Sequence, residues 1–325
     1  MKVASYIGLL LGLAVMTALV AWAGVQEIGG LLLASGWSLL WITVIWLPSL
    51  PMNTRCWQLL FVPEHMPKFG QALYAQWIGR AINTLLPVAS IGGDVVKARA
   101  LILWGADPHH ASAAAVVDKT IDVITIVLWG LIGIALLAAM ALDDGLATGS
   151  LIGLLALGVG VFGFIAVQRA GMFGYLARLT YRLTGSRAAG RLVGMAEEVD
   201  RVIRELYAQR RRLAAAIVWR MAALIWQSGE VWLAAYLLGH PIGIIEAVML
   251  KSLSNTVSDA AFVVPNSYGI QEGAFVLLGG LIGLAPDVSL AVSLAIRIRE
   301  LLVDVPGLIA WQVVEGRALL ARRRA

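Results

Sequence analysis

Apolar runs of membrane-crossing length recur along the chain: Tyr6–Val25, Gly30–Leu50, Ile121–Leu142, Thr148–Val167, Leu213–Leu238 and Val288–Val314. About 20 consecutive apolar residues let a helix cross ~30 Å of hydrocarbon. The fold expected is therefore all-α, a polytopic membrane helix bundle. Only 14% of the 325 residues are charged and 60% are hydrophobic, whereas soluble domains run near ~25% charged. That balance excludes an ordinary soluble enzyme and a disordered chain. A lone cysteine, Cys56, leaves no internal disulfide and no cysteine-based metal framework.

Two further stretches, Gln71–Gly93 and Ala247–Leu284, are apolar but broken by polar residues, Gly and Pro. They read as re-entrant hairpins or broken helices. Irregular backbone facing lipid costs several kcal/mol per unsatisfied group, so such breaks belong against protein or a wet cavity. The first run also has the Lys2 and Ala21-x-Ala23 pattern of a cleaved signal peptide. It carries a Gly8-x-x-x-Gly12 packing pattern as well.

Lys and Arg in short loops set orientation. The segment Ala170–Arg212 holds Arg178, Arg182, Arg187, Arg191, Arg201, Arg204 and Arg210 to Arg212, and the tail adds Arg317 and Arg322 to Arg324. Opposite loops carry Glu27 and Asp143-Asp144. Both termini are then cytoplasmic. One integral membrane domain, 1–325, is expected. Its first half is 1–168, with a re-entrant region at about 71–93. A basic amphipathic segment, 169–212, follows, then a second half, 213–325, with a re-entrant region at about 247–284. Apolar residues recur every three to four positions at Leu192, Met195, Val199 and Leu206, which predicts a helix. Glu197–Arg201 and Asp200–Arg204 are its expected i,i+4 pairs. It either lies on anionic inner-leaflet headgroups or packs on the base of the bundle.

The two broken stretches resemble each other. Pro87-Val-Ala-Ser-Ile-Gly-Gly-Asp94 and Pro265-Asn-Ser-Tyr-Gly-Ile-Gln-Glu272 each place an acid seven positions after a proline. Asn83-Thr84 and Asn255-Thr256 precede them at unequal offsets. The topology brings the two stretches in from opposite faces, the signature of an inverted repeat whose broken helices meet at the midplane around a substrate. Half-helix N-termini there would attract anions.

Ionisable residues inside spans cost at least ~2.5–3.5 kcal/mol and default to function. The last span holds Arg297, Arg299, Glu300 and Asp304, with Pro306 expected to kink it and free the Leu302 carbonyl. The span Leu213–Leu238 holds Arg220, Gln227 and Glu230, and the second broken stretch adds Lys251, Asp259 and Glu272. Asp118, Lys119 and Asp122 follow an Asp107-Pro108 helix start. The overshoot of that helix places Asp118, and likewise Lys97 and Arg99, at the cytoplasmic interface. Lys119–Asp122 and Arg297–Glu300 are spaced to pair. Pure structural pairing is one account of these charges; a water-filled cavity avoids the desolvation that buried pairs often fail to repay.

Other motifs are set aside. Gly158-Val-Gly160-Val-Phe-Gly163 has no βαβ context, so it reads as helix packing. His109-His110 is poorly spaced for a metal. Trp22, Trp37, Trp57, Trp77 and Trp104 read as interfacial anchors. Without Walker, HExxH or G-x-S-x-G patterns, no cofactor or metal is expected. The pI of about 9.6 is explained by topology rather than nucleic-acid binding.

The segments INTLLPVASIGGDVVKARAL, VVDKTIDV and VVPNSYGIQEGAFVLL resemble the flippase-like membrane domain family related to the membrane half of lysylphosphatidylglycerol synthase. The Trp-rich first third resembles its hopanoid-associated branch. The resemblance implies a multi-pass bacterial inner-membrane protein that moves lipid between leaflets, without the soluble aminoacyl-transferase domain. It implies a substrate path along Asn83 to Arg99 (Asn83, Pro87, Asp94, Lys97, Arg99), Asp118 to Asp122, and Pro265 to Glu272. Lys97 and Lys119 stand where Arg is more usual in relatives. The function expected is a flippase for an anionic or zwitterionic lipid, which resemblance to that branch implies to be hopanoid-related. The alternatives are an intramembrane headgroup-modifying enzyme using Asp118 and Asp122 or Glu300 and Asp304, and a scaffold for lipid synthesis. The partners expected are the lipid substrate and anionic inner-leaflet lipids at the basic 178–212 segment, with no nucleic acid and with oligomeric state open.

Overall fold

The structure, a computed structural model, describes residues 2–86, 92–140, 187–260 and 264–324, with scattered positions between 145 and 178. Pro87, Asp143-Asp144, Arg182, Gly158, Gly160 and most of the Thr148–Val167 run lie outside the described residues. The helices are α1 (Lys2–Ala23), α2 (Val25–Ser35), α3 (Leu40–Trp46), α4 (Ser49–Gln58), α5 (Phe69–Leu85), α6 (Gly92–Leu103), α7 (Pro108–Ala139), α8 (Arg187–Ala208), α9 (Arg210–Leu237), α10 (Ile244–Ala260), α11 (Ile270–Leu281) and α12 (Pro286–Arg324). No strand occurs among the described residues, so the fold is all-α.

The second apolar run is interrupted where the sequence predicts one span. Gly36 takes φ +48 and opens a 3-10 turn, Gly36–Leu39, before α3; α4 then carries the path on to Gln58. Pro306 does not end α12, which continues as one helix to Arg324. The Trp77 indole donates to the Val303 carbonyl at 2.8 Å, one residue beyond the Leu302 carbonyl that the proline leaves without its usual donor.

Both broken stretches are helical hairpins. Their limbs have 17 and 12 residues in the first (α5, α6) and 17 and 12 in the second (α10, α11). At 1.5 Å per residue they reach about 25 and 18 Å, short of a full crossing. The limbs of the first hairpin touch backbone to backbone at Gly79 and Gly93. A Cβ on Gly93 would meet the Gly79 carbonyl, and the Gly93 N–H donates to Asn83 Oδ1 at 2.7 Å. The tip of the second hairpin is the turn Pro265–Ser267, with Asn266 and Ser267 at φ 48 and 49. Gly269 (φ +78) seats this tip against Gly12 of α1, which gives the Gly8/Gly12 pattern a concrete role at Gly12.

The long helices interleave the hairpins. The α7 helix packs first on α6, through Asp118 and Lys97, then on α10, where Gly133 leaves room for Ser252 and Leu253. The α12 helix packs first on α11, through Ser293 and Gln271, then on α5, where Gly307 admits Ala81 and Trp77. Each long helix thus touches its own hairpin and then the other.

The basic helix α8 packs on the bundle. Val202, Ile203, Leu206 and Tyr207 are buried in one cluster with Trp57, Leu60 and Ala111. This corrects two expectations. Trp57 is a core residue, not an interfacial anchor. Arg201 binds Glu198 and Glu205 rather than Glu197, and Glu197 takes Arg178 at 2.5 Å.

Candidate substrate cavity

Between the two hairpins, α7, α9 and α12 lies a cavity of about 910 Å³. Its lining includes the cations Arg80, Lys97, Lys119, Arg220, Lys251 and Arg299 and the acids Asp94, Asp118, Asp122, Asp259 and Glu300. The hairpins position this chemistry because each first limb ends, and each second limb begins, at the cavity.

On one wall the charges close into an alternating ring. Lys97 binds Asp94 at 2.8 Å and Asp118; Arg220 binds Asp118 at 2.5 Å and stands 3.7 Å from Asp122. Lys119 binds Asp122 at 3.2 Å and reaches back to Asp94 at 3.8 Å. Each charge has two neighbours of opposite sign, and three helices complete the ring: the hairpin limb α6 with α7 and α9. Such closure is how buried charges offset desolvation. Asp118 and Lys97 are both buried, because α6 folds back against α7 inside the bundle. Arg99, on the other face of α6, is half-exposed and binds Glu315 at 2.6 Å, away from the cavity.

Elsewhere around the cavity Glu230, fully buried, pairs with Lys251 at 2.7 Å and with the Arg299 Nη2 at 2.7 Å, and accepts from Arg299 Nε at 2.9 Å. Glu230 lies behind the lining and holds two of its cations. The guanidinium carbons of Arg299 and Arg80 stand 4.7 and 4.2 Å from the ring centroid of buried Trp46. Two cations share one indole, an arrangement favoured by its quadrupole. Arg80 also binds Asp304 at 3.2 Å. Asp304 is buried behind the wall, and of its helix-face neighbours only Glu300 lines the cavity.

At the tip of the second hairpin Arg297 binds Glu272 at 2.8 Å, Glu300 at 3.0 Å and the Asn266 carbonyl at 3.1 Å. Glu272 and Arg297 therefore seal the tip, and of this group only Glu300 and Asn266 line the cavity. The Gly269 N–H donates to Glu272 Oε2 at 2.6 Å. The α11 N-terminus is thereby satisfied by its own first-turn acid, which corrects the expectation of a free anion site there. Pro265 begins the tip turn but is not among the lining residues. Asp259 is exposed toward the cavity and forms no ion pair among the described residues.

Sequence reasoning missed Arg80, Trp46, Gln76, Asn53 and Asn255 as lining residues, whereas Asn266 lies in the expected Pro265 to Glu272 segment. Arg80 had a signal: a lone arginine within an apolar, glycine-broken stretch. Trp46 had none, since its neighbours are cations from α5 and α12.

An all-α bundle with half-length hairpins around an internal charged cavity defines a polytopic membrane protein that encloses polar chemistry within its spans. The chain belongs to the family described as lysylphosphatidylglycerol synthase TM region, whose profile matches residues 9–306. It is thus a membrane protein related to lipid synthesis or flipping. Searches of curated proteins and of solved structures returned no significant match.

Proposed function

We propose that the protein is a lipid flippase. A polar headgroup, anionic or zwitterionic, passes through the charged cavity while its acyl chains stay in the bilayer. The observation that carries this reading is the cavity itself: about 910 Å³, lined by both signs of charge, between two hairpins too short to cross. A dry structural core has no use for that volume, and buried charges in a membrane are favoured beside water or a polar ligand. Cations offer sites for a phosphate, and Asp259, without an ion pair among the described residues, offers one for an ammonium group. The setting is a bacterial inner membrane with both termini cytoplasmic, since basic α8 and the tail then share the cytoplasmic side, where anionic lipids would meet the exposed arginines of α8. The family name includes a synthase, yet among the described residues no nucleophile–base pair stands out in the cavity, so transport is preferred to headgroup chemistry.

The test is reconstitution into vesicles with fluorescent phosphatidylglycerol, phosphatidylethanolamine or an amino-bearing hopanoid, followed by quenching of the outer leaflet. Transbilayer movement above protein-free vesicles is expected, reduced about tenfold or more in Arg220→Ala. No movement of any of these lipids by folded protein would overturn the reading.

A further inference from the structure

The two hairpins and the helices after them share one register. Counterparts lie 178 residues apart (272 less 94): α6 and α11 begin at Gly92 and Ile270, α7 and α12 at Pro108 and Pro286. The intervening turns also match. Gly105 has φ +92 and Gly283 φ +81; the Ala106 N–H donates to the Leu101 carbonyl at 3.0 Å, and the Leu284 N–H to the Gly279 carbonyl at 2.9 Å. In this register Asp94 corresponds to Glu272, Lys119 to Arg297, and Asp122 to Glu300. Each unit therefore carries one acid–cation–acid triad, joining the first turn of its short limb to the middle of its long helix.

The two triads are in different states. Lys119 lies 3.8 Å from Asp94, and the side chains of Lys119 and Asp122 are each 33% exposed beside the cavity. Arg297 lies 2.8 Å from Glu272, and Arg297 and Glu300 are only 9% and 13% exposed. In the first triad Lys119 stands off Asp94, which Lys97 holds at 2.8 Å, and opens to the cavity with Asp122; its counterpart is closed. Matching units held in unequal states within one chain are what a two-state element produces. A physical coupling is present as well, because α7 and α12 each pack on both hairpins, so a shift of one hairpin is felt at the other.

We propose that the two triads are equivalent gates that alternate. In a second state Glu272–Arg297–Glu300 opens to the cavity while Asp94–Lys119–Asp122 closes. The inference deepens the flippase reading and rests on it, since a headgroup must gain access from each side in turn.

The experiment uses full-length protein in vesicles on a Cys56→Ala background, with one cysteine added as a reporter. Ser293→Cys, fully buried one turn before Arg297, reports the closed gate, and Val123→Cys, lining the cavity one residue after Asp122, reports the open one. Labelling with a water-soluble maleimide is measured with and without Arg297→Ala. Loss of the arginine releases the closed gate, so Ser293→Cys should label about tenfold faster and Val123→Cys correspondingly slower. Arg297→Lys, which keeps the cation, should restore both rates toward those of the parent. Faster labelling at both positions means general loosening and overturns the proposal, as does no change at either. Lipid movement in the same vesicles separates the two ideas. Transport without reciprocal labelling sinks the gates alone; reciprocal labelling without transport of any lipid sinks the flippase reading.

Discussion

Arg220 of α9 and Asp118 of α7 meet at 2.5 Å inside the bundle, 102 positions apart in the chain. Asp118 also accepts from Lys97, so one buried carboxylate holds two cations from two other helices. Asp118→Asn would leave both cations short of charge compensation in a low-dielectric site. Breaking a buried pair costs about 3–5 kcal/mol. A drop in thermal midpoint of purified protein, larger than for Asp122→Asn, is expected, because Asp122 is a third exposed and water shares its load. Equal melting of the two variants would contradict the ring.

Gly93 has no space for a side chain, since a Cβ there falls on the Gly79 carbonyl and on Asn83. Gly93→Ala should force the first hairpin apart and cost about 1–3 kcal/mol. Gly280→Ala, in open space in the second hairpin, should stay within about 0.5 kcal/mol of the parent. Denaturation midpoints of the two variants compare them directly.

Trp46 lies between Arg80 and Arg299. Trp46→Ala removes a fully buried ring and the surface that both guanidiniums share, a loss of about 3–5 kcal/mol from packing alone. Trp46→Leu keeps apolar volume but no quadrupole. If the indole matters for cation placement, lipid movement by Trp46→Leu should fall well below that of Trp46→Phe at similar stability. Indistinguishable rates for Leu and Phe would show that it only fills space.

Asp107 caps α7, accepting from the His109 and His110 N–H groups at 3.0 and 2.9 Å. Burial pushes its carboxyl up, but hydrogen bonds from the His110 backbone and ring outweigh that and hold it at about 2. The folded value lies below the ordinary one. Its stabilising contribution is therefore complete above pH ~4 and is lost as pH falls toward 2. Asp107→Ala should cost about 1 kcal/mol at neutral pH, and the gap from the parent should shrink on acidification. A gap unchanged down to pH 2.5 would refute the cap's role.

Much of the architecture was legible because hydrophobic spans and breaks are local. The run Leu213–Leu238 and the helix Arg210–Leu237 nearly coincide, as do the stretch Ala247–Leu284 and the second hairpin. Asp94 and Glu272, each seven positions after a proline in the sequence, fall in the first turns of α6 and α11. Even the i,i+3 pairs Lys119–Asp122 and Arg297–Glu300 could be read, since helical spacing alone brings those side chains together.

What no local pattern could supply was the partner of each charge across the bundle. Asp304 shares a helix face with Arg297 and Glu300 by spacing, yet it turns to Arg80 of α5. Arg99 sits two residues from Lys97, yet one leaves for Glu315 while the other enters the ring. The sequence determined which stretches are apolar, where they are broken and which residues carry charge. Only tertiary packing decided which charges neutralise one another and which face the cavity, because Coulomb attraction in a low-dielectric interior acts over a few ångströms of space, indifferent to distance along the chain.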